Sequence, residues 1–219
     1  MGTFSATANS SSTIGYAQYG SSSWSTGNSS GACQGAYQGT TAAKSRVGVM
    51  VFSGAGAALK GKLIQSITLT ITCSGAGSGS SSKKLTFCQA NYQSLNTGVR
   101  GSAQVGATMG TLTGKFYSNT VTHTLNASTN AALFAAMKAY FEAGNSVLVL
   151  YNGETSSSSG YSSNYARVTS CTLTVTYIDA VIWYRDGGTW RQCTVWYWLN
   201  GVWIQVVPYC NSGGAWVRV

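Results

Sequence analysis

Ile64-Gln65-Ser66-Ile67-Thr68-Leu69-Thr70-Ile71-Thr72-Cys73 is the stretch on which the fold turns. Ile67, Leu69, Ile71 and Cys73 take alternate positions, and Ser66, Thr68, Thr70 and Thr72 fill those between. Successive side chains of a strand point to opposite faces, so a period of two makes one face apolar and the other hydroxylated. The stretch predicts a half-buried antiparallel strand.

The same alternation returns near residue 177, where Cys171, Leu173, Val175 and Tyr177 alternate with Ser170, Thr172, Thr174 and Thr176. It opens the chain as well, with Phe4, Ala6 and Ala8 set between Thr3, Ser5 and Thr7. Residues 47–52 and 147–151 are short runs apolar on both faces, which predicts central, fully buried strands. Residues 85–90 read as a hairpin partner of 64–73 across the Gly/Ser tract 74–82, with Lys83-Lys84 at its tip. Residues 111–125 supply two further short strands. One helix interrupts the pattern at 129–143: Ser128 or Thr129 caps it, Leu133, Met137 and Tyr140 share a face, and Gly144 stops it. Residues 9–45 read as a long loop carrying Tyr16, Tyr19, Trp24 and Tyr37, and 152–166 as a second loop carrying Tyr161 and Tyr165. Short strands at this spacing with Gly-rich connections predict an all-β jelly-roll β-sandwich with one short helix over residues 1–178.

Residues 179–219 behave differently. Trp190, Trp203 and Trp216 recur every 13 residues, each two positions after Gly188, Gly201 or Gly214. Trp183, Trp196 and Tyr209 hold the matching earlier position. Each unit reads as an aromatic strand, an Asp-Gly, Asn-Gly or Gly-Gly turn, and a return strand beginning at the Trp. This predicts a small C-terminal module of β-hairpin repeats. A module so small buries little surface alone, so Trp183, Trp190, Trp196, Trp203 and Trp216 are expected to form a repeat core or an interface.

Composition narrows the chemistry. Of 219 residues only 8% are charged, while 44% are apolar and 12% aromatic. The net charge is +9, but its 13 basic residues are scattered rather than clustered, which argues against a nucleic-acid partner. The six cysteines show no metal-ligand spacing; Cys73 and Cys171 fall in phase with apolar neighbours, and reduced thiols are expected. No metal or cofactor is predicted. No apolar run reaches membrane-spanning length, and Met1 to Ser5 lacks the basic start of a secretory signal. The acids are Glu142, Glu154, Asp179 and Asp186, with His123 the single histidine. Two facing carboxylates are not expected from these positions, and His123 reads as a packed histidine on an apolar strand face, so no catalytic residues are predicted. The loop aromatics Tyr16, Tyr19, Trp24, Tyr37, Tyr161 and Tyr165 are candidate saccharide platforms, because amphipathic rings stack on sugar faces; covering the sandwich ends or filling an interface is the alternative role.

Two resemblances add to this reading. The strands at 46–52, 64–73 and 167–177 make the chain resemble the DNRLRE-type jelly roll, among the carbohydrate-binding-module-like sandwiches of bacterial surface and phage structural proteins, over residues 3–177. Gly187-Gly188-Thr189-Trp190, Asn200-Gly201-Val202-Trp203 and Gly213-Gly214-Ala215-Trp216 resemble the GGxW repeats near the C-termini of phage and prophage virion proteins. Together they imply a structural or adsorption component of a bacteriophage particle: tail fibre, tail tip, head fibre or decoration protein. They also imply a place in the virion after synthesis in the host cytoplasm, other virion proteins as partners, a homotrimer, and contact with host surface polysaccharide. A carbohydrate-binding module of a bacterial surface protein is the alternative.

Overall fold

The computed structural model describes residues 1–9, 13–27, 30–38, 43–75, 82–155 and 160–179, together with the backbone of six strands between 182 and 218. In chain order the strands are β1 (Gly2–Asn9), β2 (Ile14–Gln18), β3 (Trp24–Thr26), β4 (Ala32–Gln38), β5 (Ala43–Val51), β6 (Leu63–Cys73), β7 (Lys83–Ala90), β8 (Val105–Gly114), β9 (Thr120–Leu125), β10 (Val147–Leu150), β11 (Gly160–Tyr161) and β12 (Ala166–Ile178). They build an all-β, sandwich-like fold of jelly-roll character from two antiparallel sheets.

The first sheet has the order β1-β12-β6-β9. Its strands are the alternating ones, and their registers align the alternation. Thr68 pairs with Thr174 on one side and Thr124 on the other; Thr70 pairs likewise with Thr172 and Thr122. The outer face is therefore a grid of hydroxyls that hydrogen-bond in pairs, among them Thr7 with Thr172 at 2.9 Å, Thr70 with Thr122 at 3.2 Å and Thr72 with Thr120 at 3.0 Å. Such cross-strand pairs each contribute roughly 0.2–1 kcal/mol.

The second sheet has the order β8-β7-β10-β5-β2-β3. Its inner face gives Met50, Phe87, Leu148 and Leu150 to the core, against Ile67, Leu69, Ile71, Leu173 and Val175 of the first sheet. Its outer face is also apolar: Val47, Val49, Cys88, Val147 and Val149 cluster there, with Trp24, Leu95 and Val105 packed against them. Burial on both faces is why β5 and β10 read as continuous apolar runs.

Strand β4 joins the sheets. Ala32–Gln34 pair with Val168–Ala166 of β12, and Gly35–Gln38 pair with Arg46–Ala43 of β5. The change of sheet occurs at Gly35, which has φ +88 and where a Cβ would stand 2.7 Å from the Cα of Tyr165. Only glycine meets both demands without strain.

Several expectations are corrected. Residues 9–45 are not a long loop, because β2, β3 and β4 lie within them. β7 is not the hairpin partner of β6; it pairs with β8 and β10, so the chain crosses between sheets after Cys73. Lys83 is not at an exposed tip: it is 1% exposed, and its ammonium donates to the carbonyl of Tyr165 at 2.6 Å. Two further short helices, α1 (Ala55–Leu59) and α2 (Gly101–Gln104), accompany the expected one, α3 (Ala131–Glu142). The N-cap of α3 is Asn130 at φ +53, not Ser128 or Thr129. The two preceding N–H groups, of Ser128 and Thr129, instead donate to Asn126 Oδ1 at 2.8 Å each, and Asn tolerates the left-handed conformation of the turn. Leu133, Met137 and Tyr140 share the buried face as expected.

The repeat forms three hairpins: β13 (Ile182–Asp186) with β14 (Thr189–Cys193), β15 (Trp196–Leu199) with β16 (Val202–Gln205), and β17 (Tyr209–Ser212) with β18 (Ala215–Arg218). Each return strand begins one residue before its Trp, and Trp190, Trp203 and Trp216 stand opposite Arg185, Trp198 and Asn211.

Candidate saccharide site

Where β4 leaves the first sheet, the inner face of the second sheet emerges from its cover. Directly paired residues of an antiparallel ladder share a face. Gly35 pairs with Arg46 and Tyr37 with Lys44; β2 adds Gln18 opposite Arg46 and Tyr16 opposite Gly48; β11 adds Tyr161 opposite Tyr37. The ladder thus gathers Tyr16, Tyr37, Lys44 and Arg46 on one surface.

Three rings form a continuous group. Tyr161 lies 4.8 Å from Tyr37 and 4.5 Å from Tyr165, centroid to centroid. Tyr165 is buried at 2% exposure with Cys33, and Tyr16 and Tyr37 pack against that pair. Tyr161 is 37% exposed and forms the open surface of the group. The Arg46 guanidinium lies over the Tyr16 ring, 5.0 Å from its centroid. Burial pushes the Cys33 thiol and the Tyr165 phenol up, so both are neutral at physiological pH.

The turn that carries Tyr161 and Tyr165 is braced from behind. Glu154 accepts from the Ser162 hydroxyl and from Asn164 Nδ2, the latter at 2.9 Å. Burial pushes the Glu154 carboxyl up, but the bonds from Ser162, Asn164 and Asn152 outweigh it and hold it below its ordinary value. The Ser162 hydroxyl in turn accepts from the N–H of Ala36 at 2.8 Å, tying the turn to β4. Buried Gln34 reaches from β4 to β7, donating to the Lys84 carbonyl at 2.6 Å and accepting from the Thr86 N–H at 2.9 Å. A fixed scaffold of this kind lowers the ordering cost of binding.

The structure divides the six predicted aromatics. Tyr16, Tyr37, Tyr161 and Tyr165 come together, with Tyr165 as buried support rather than an exposed platform. Trp24 belongs to the covering of the second sheet, donating from Nε1 to the Val99 carbonyl at 2.8 Å. Tyr19 stacks on Tyr151 at 4.7 Å and 13°, away from the group. Lys44 and Arg46, on the same face as Tyr37, do not stand out in the sequence because they sit at the head of an apolar strand; the available signal is their spacing of two, in phase with Gly48. The side chains of Trp183, Trp190, Trp196, Trp203 and Trp216 lie outside the described residues, as do those of Cys193, Cys210 and Asp186 and residues 156–159 of the second predicted loop.

The other chemical groups have structural surroundings. Glu142 pairs with Lys138 and accepts from the Ile64 N–H at 2.8 Å, and Asp179 pairs with Lys62. His123 packs 5.7 Å from Phe116, and its Nε2 is buried without a hydrogen-bond partner. Cys33, Cys73, Cys88 and Cys171 are free and buried, and burial pushes the Cys73 thiol up to about 12. Among the described residues no group of three or more His, Cys, Asp or Glu could hold a metal, and no helix is long and apolar enough to cross a membrane. Compared with known proteins, the chain matches no family model and no curated protein.

Proposed function

We propose that this protein is a non-catalytic adsorption component of a bacteriophage particle that holds host surface saccharide on the Tyr37–Tyr161 surface. The observation that carries the saccharide part is the convergence of Tyr16, Tyr37, Tyr161 and Tyr165, from three separate strands and a turn, on one partly exposed patch braced by Glu154, Asn164 and Gln34. Aromatic rings with a wet edge suit the apolar faces of sugar rings. The particle part is supported by the 13-residue hairpin repeat and by a surface poor in charge and rich in hydroxyls.

Two measurements test the reading. Mass spectrometry of intact purified particles is expected to find the chain, and its absence there would remove the particle assignment. Binding of the purified chain to host polysaccharide is expected to fall at least tenfold on Tyr161→Ala while Trp24→Ala, outside the patch, leaves it unchanged once folding is matched. Binding indifferent to Tyr161, or none at all, would refute the saccharide assignment. If saccharide binds but the particle lacks the chain, the carbohydrate-binding module of a bacterial surface protein becomes the better reading. Assembly as a homotrimer belongs to the same proposal, and light scattering coupled to gel filtration showing a monomer at micromolar concentration would reject it.

A further inference from the structure

We infer that the saccharide is acidic, and that Arg46 with Lys44 receives its anionic group beside the tyrosine platform. The inference rests on the saccharide reading of this patch and adds its chemical class. Three observations carry it. Arg46 lies across the Tyr16 ring, and its Nε is buried with no hydrogen-bond partner. The cation–π contact restrains the guanidinium beside the ring, and its planar fork matches a carboxylate or a phosphate in two parallel hydrogen bonds.

The second observation is the absence of a competing acid. Among the described residues the carboxylates of Glu142 and Asp179 pair with Lys138 and Lys62, and Glu154 is taken up by Ser162 and Asn164. None of them pairs with Arg46. The third is the placement of the second cation. Lys44 is exposed and lies on the same face as Arg46, roughly 6.6 Å along β5 and directly opposite Tyr37. An acidic sugar stacked on Tyr37 and Tyr161 therefore has a point charge at its rim and a fork at its end. The net charge of +9 draws such a polymer from a distance.

Oligogalacturonate and its methyl ester present the same sugar chain with and without charge, a phosphomannan presents phosphate on a sugar chain, and inorganic polyphosphate of equal charge presents an anion without any ring for Tyr161. Calorimetry of the whole chain against these four is expected to show one of the two acidic polymers bound at least tenfold more tightly than the ester. Which of them is bound identifies the anion as carboxylate or phosphate. Arg46→Gln and the exposed variant Lys44→Gln are each expected to erase that preference, and Tyr161→Ala to weaken the acidic polymer and the ester alike. If Arg46→Gln fails to fold, Lys44→Gln carries the test alone. Equal binding of acid and ester, still sensitive to Tyr161, would overturn the acidic assignment and leave the saccharide reading standing. Binding of the polyphosphate as tight as that of the acidic polysaccharides would overturn it in favour of plain polyanion attraction. No binding of any probe would remove both readings.

Discussion

On the first sheet Thr and Ser hydroxyls fill the outward positions through the middle of four adjacent strands, and the residues between them face the core. On the second sheet Val147, Leu148, Val149 and Leu150 are all buried, two toward the core and two toward the outer cluster against which Trp24 and Leu95 pack. One sheet borders solvent and the other borders protein on both sides. The candidate site lies at the only stretch of β5 described here that carries cations, Lys44 to Arg46, before the apolar run begins at Val47. A doubly buried sheet presents polar side chains where its cover ends, because there its inner face meets water while its backbone stays fixed.

Matched substitutions on the two sheets put this contrast to the test. The largest effect is expected where the sheets are alike: Leu69→Ala and Leu148→Ala, both fully buried in the shared core, should each cost about 2–5 kcal/mol in denaturant unfolding. If Leu69→Ala cost far less, the first sheet would not be packed as described. Next comes the strand that joins them. Gly35→Ala imposes about 1–2 kcal/mol of left-handed strain and pushes a methyl group to within 2.7 Å of Tyr165. A loss of about 2–4 kcal/mol is expected, with the Tyr37–Tyr161–Tyr165 group disturbed in near-ultraviolet circular dichroism.

The contrast itself is read by exchanging isosteres. Val149→Thr places a hydroxyl on the covered outer face of the second sheet and should cost about 1–3 kcal/mol. Thr70→Val on the open face of the first sheet removes one hydroxyl pair and should cost no more than about 1 kcal/mol. Equal costs would mean that the two outer faces are equally covered. The smallest effect is a pH dependence of the first sheet. Burial holds the His123 imidazole below its ordinary 6.5, so the unfolded chain takes up the proton first as pH falls. Stability is then complete above about 6.5 and declines as pH drops toward the folded-state value. His123→Gln should flatten the decline between about pH 6.5 and pH 5, a window that Glu154, held below 4.5, does not reach.

The one-sided strands were legible in the sequence because water on one face forces the period of two: β6 follows it from Ser66 to Cys73 and β12 from Ser170 to Thr176. The doubly buried β10 was legible as an apolar run. β4 was not, and the reason is its position between layers. Its Ala32–Cys33 backbone passes so close to β5 that a Cβ on Gly48 would stand 2.7 Å from it. A crossing that tight is filled by Ala, Cys and Gly, which leave no hydrophobic signature. The course of β7 was misread because adjacency suggests a hairpin, whereas burial of Lys83 against the Tyr165 carbonyl belongs to the opposite sheet. Within the site the tyrosines were visible as residue types. Their division into platform, support and cover was not, since it depends on which ladder each one joins.

β1 and β12 run side by side over the whole length of β1, so that Gly2 stands opposite Tyr177 and Asn9 opposite Ser170. Tension applied between residues 2 and 177 would load this ladder one pair at a time from its open end instead of shearing all its bonds together. The sandwich would peel under modest force along that line, its hydroxyl pairs parting in sequence from Ser5 with Thr174 to Thr7 with Thr172. Mechanically it hangs beside the path of a pull between those residues, as a pendant that yields first.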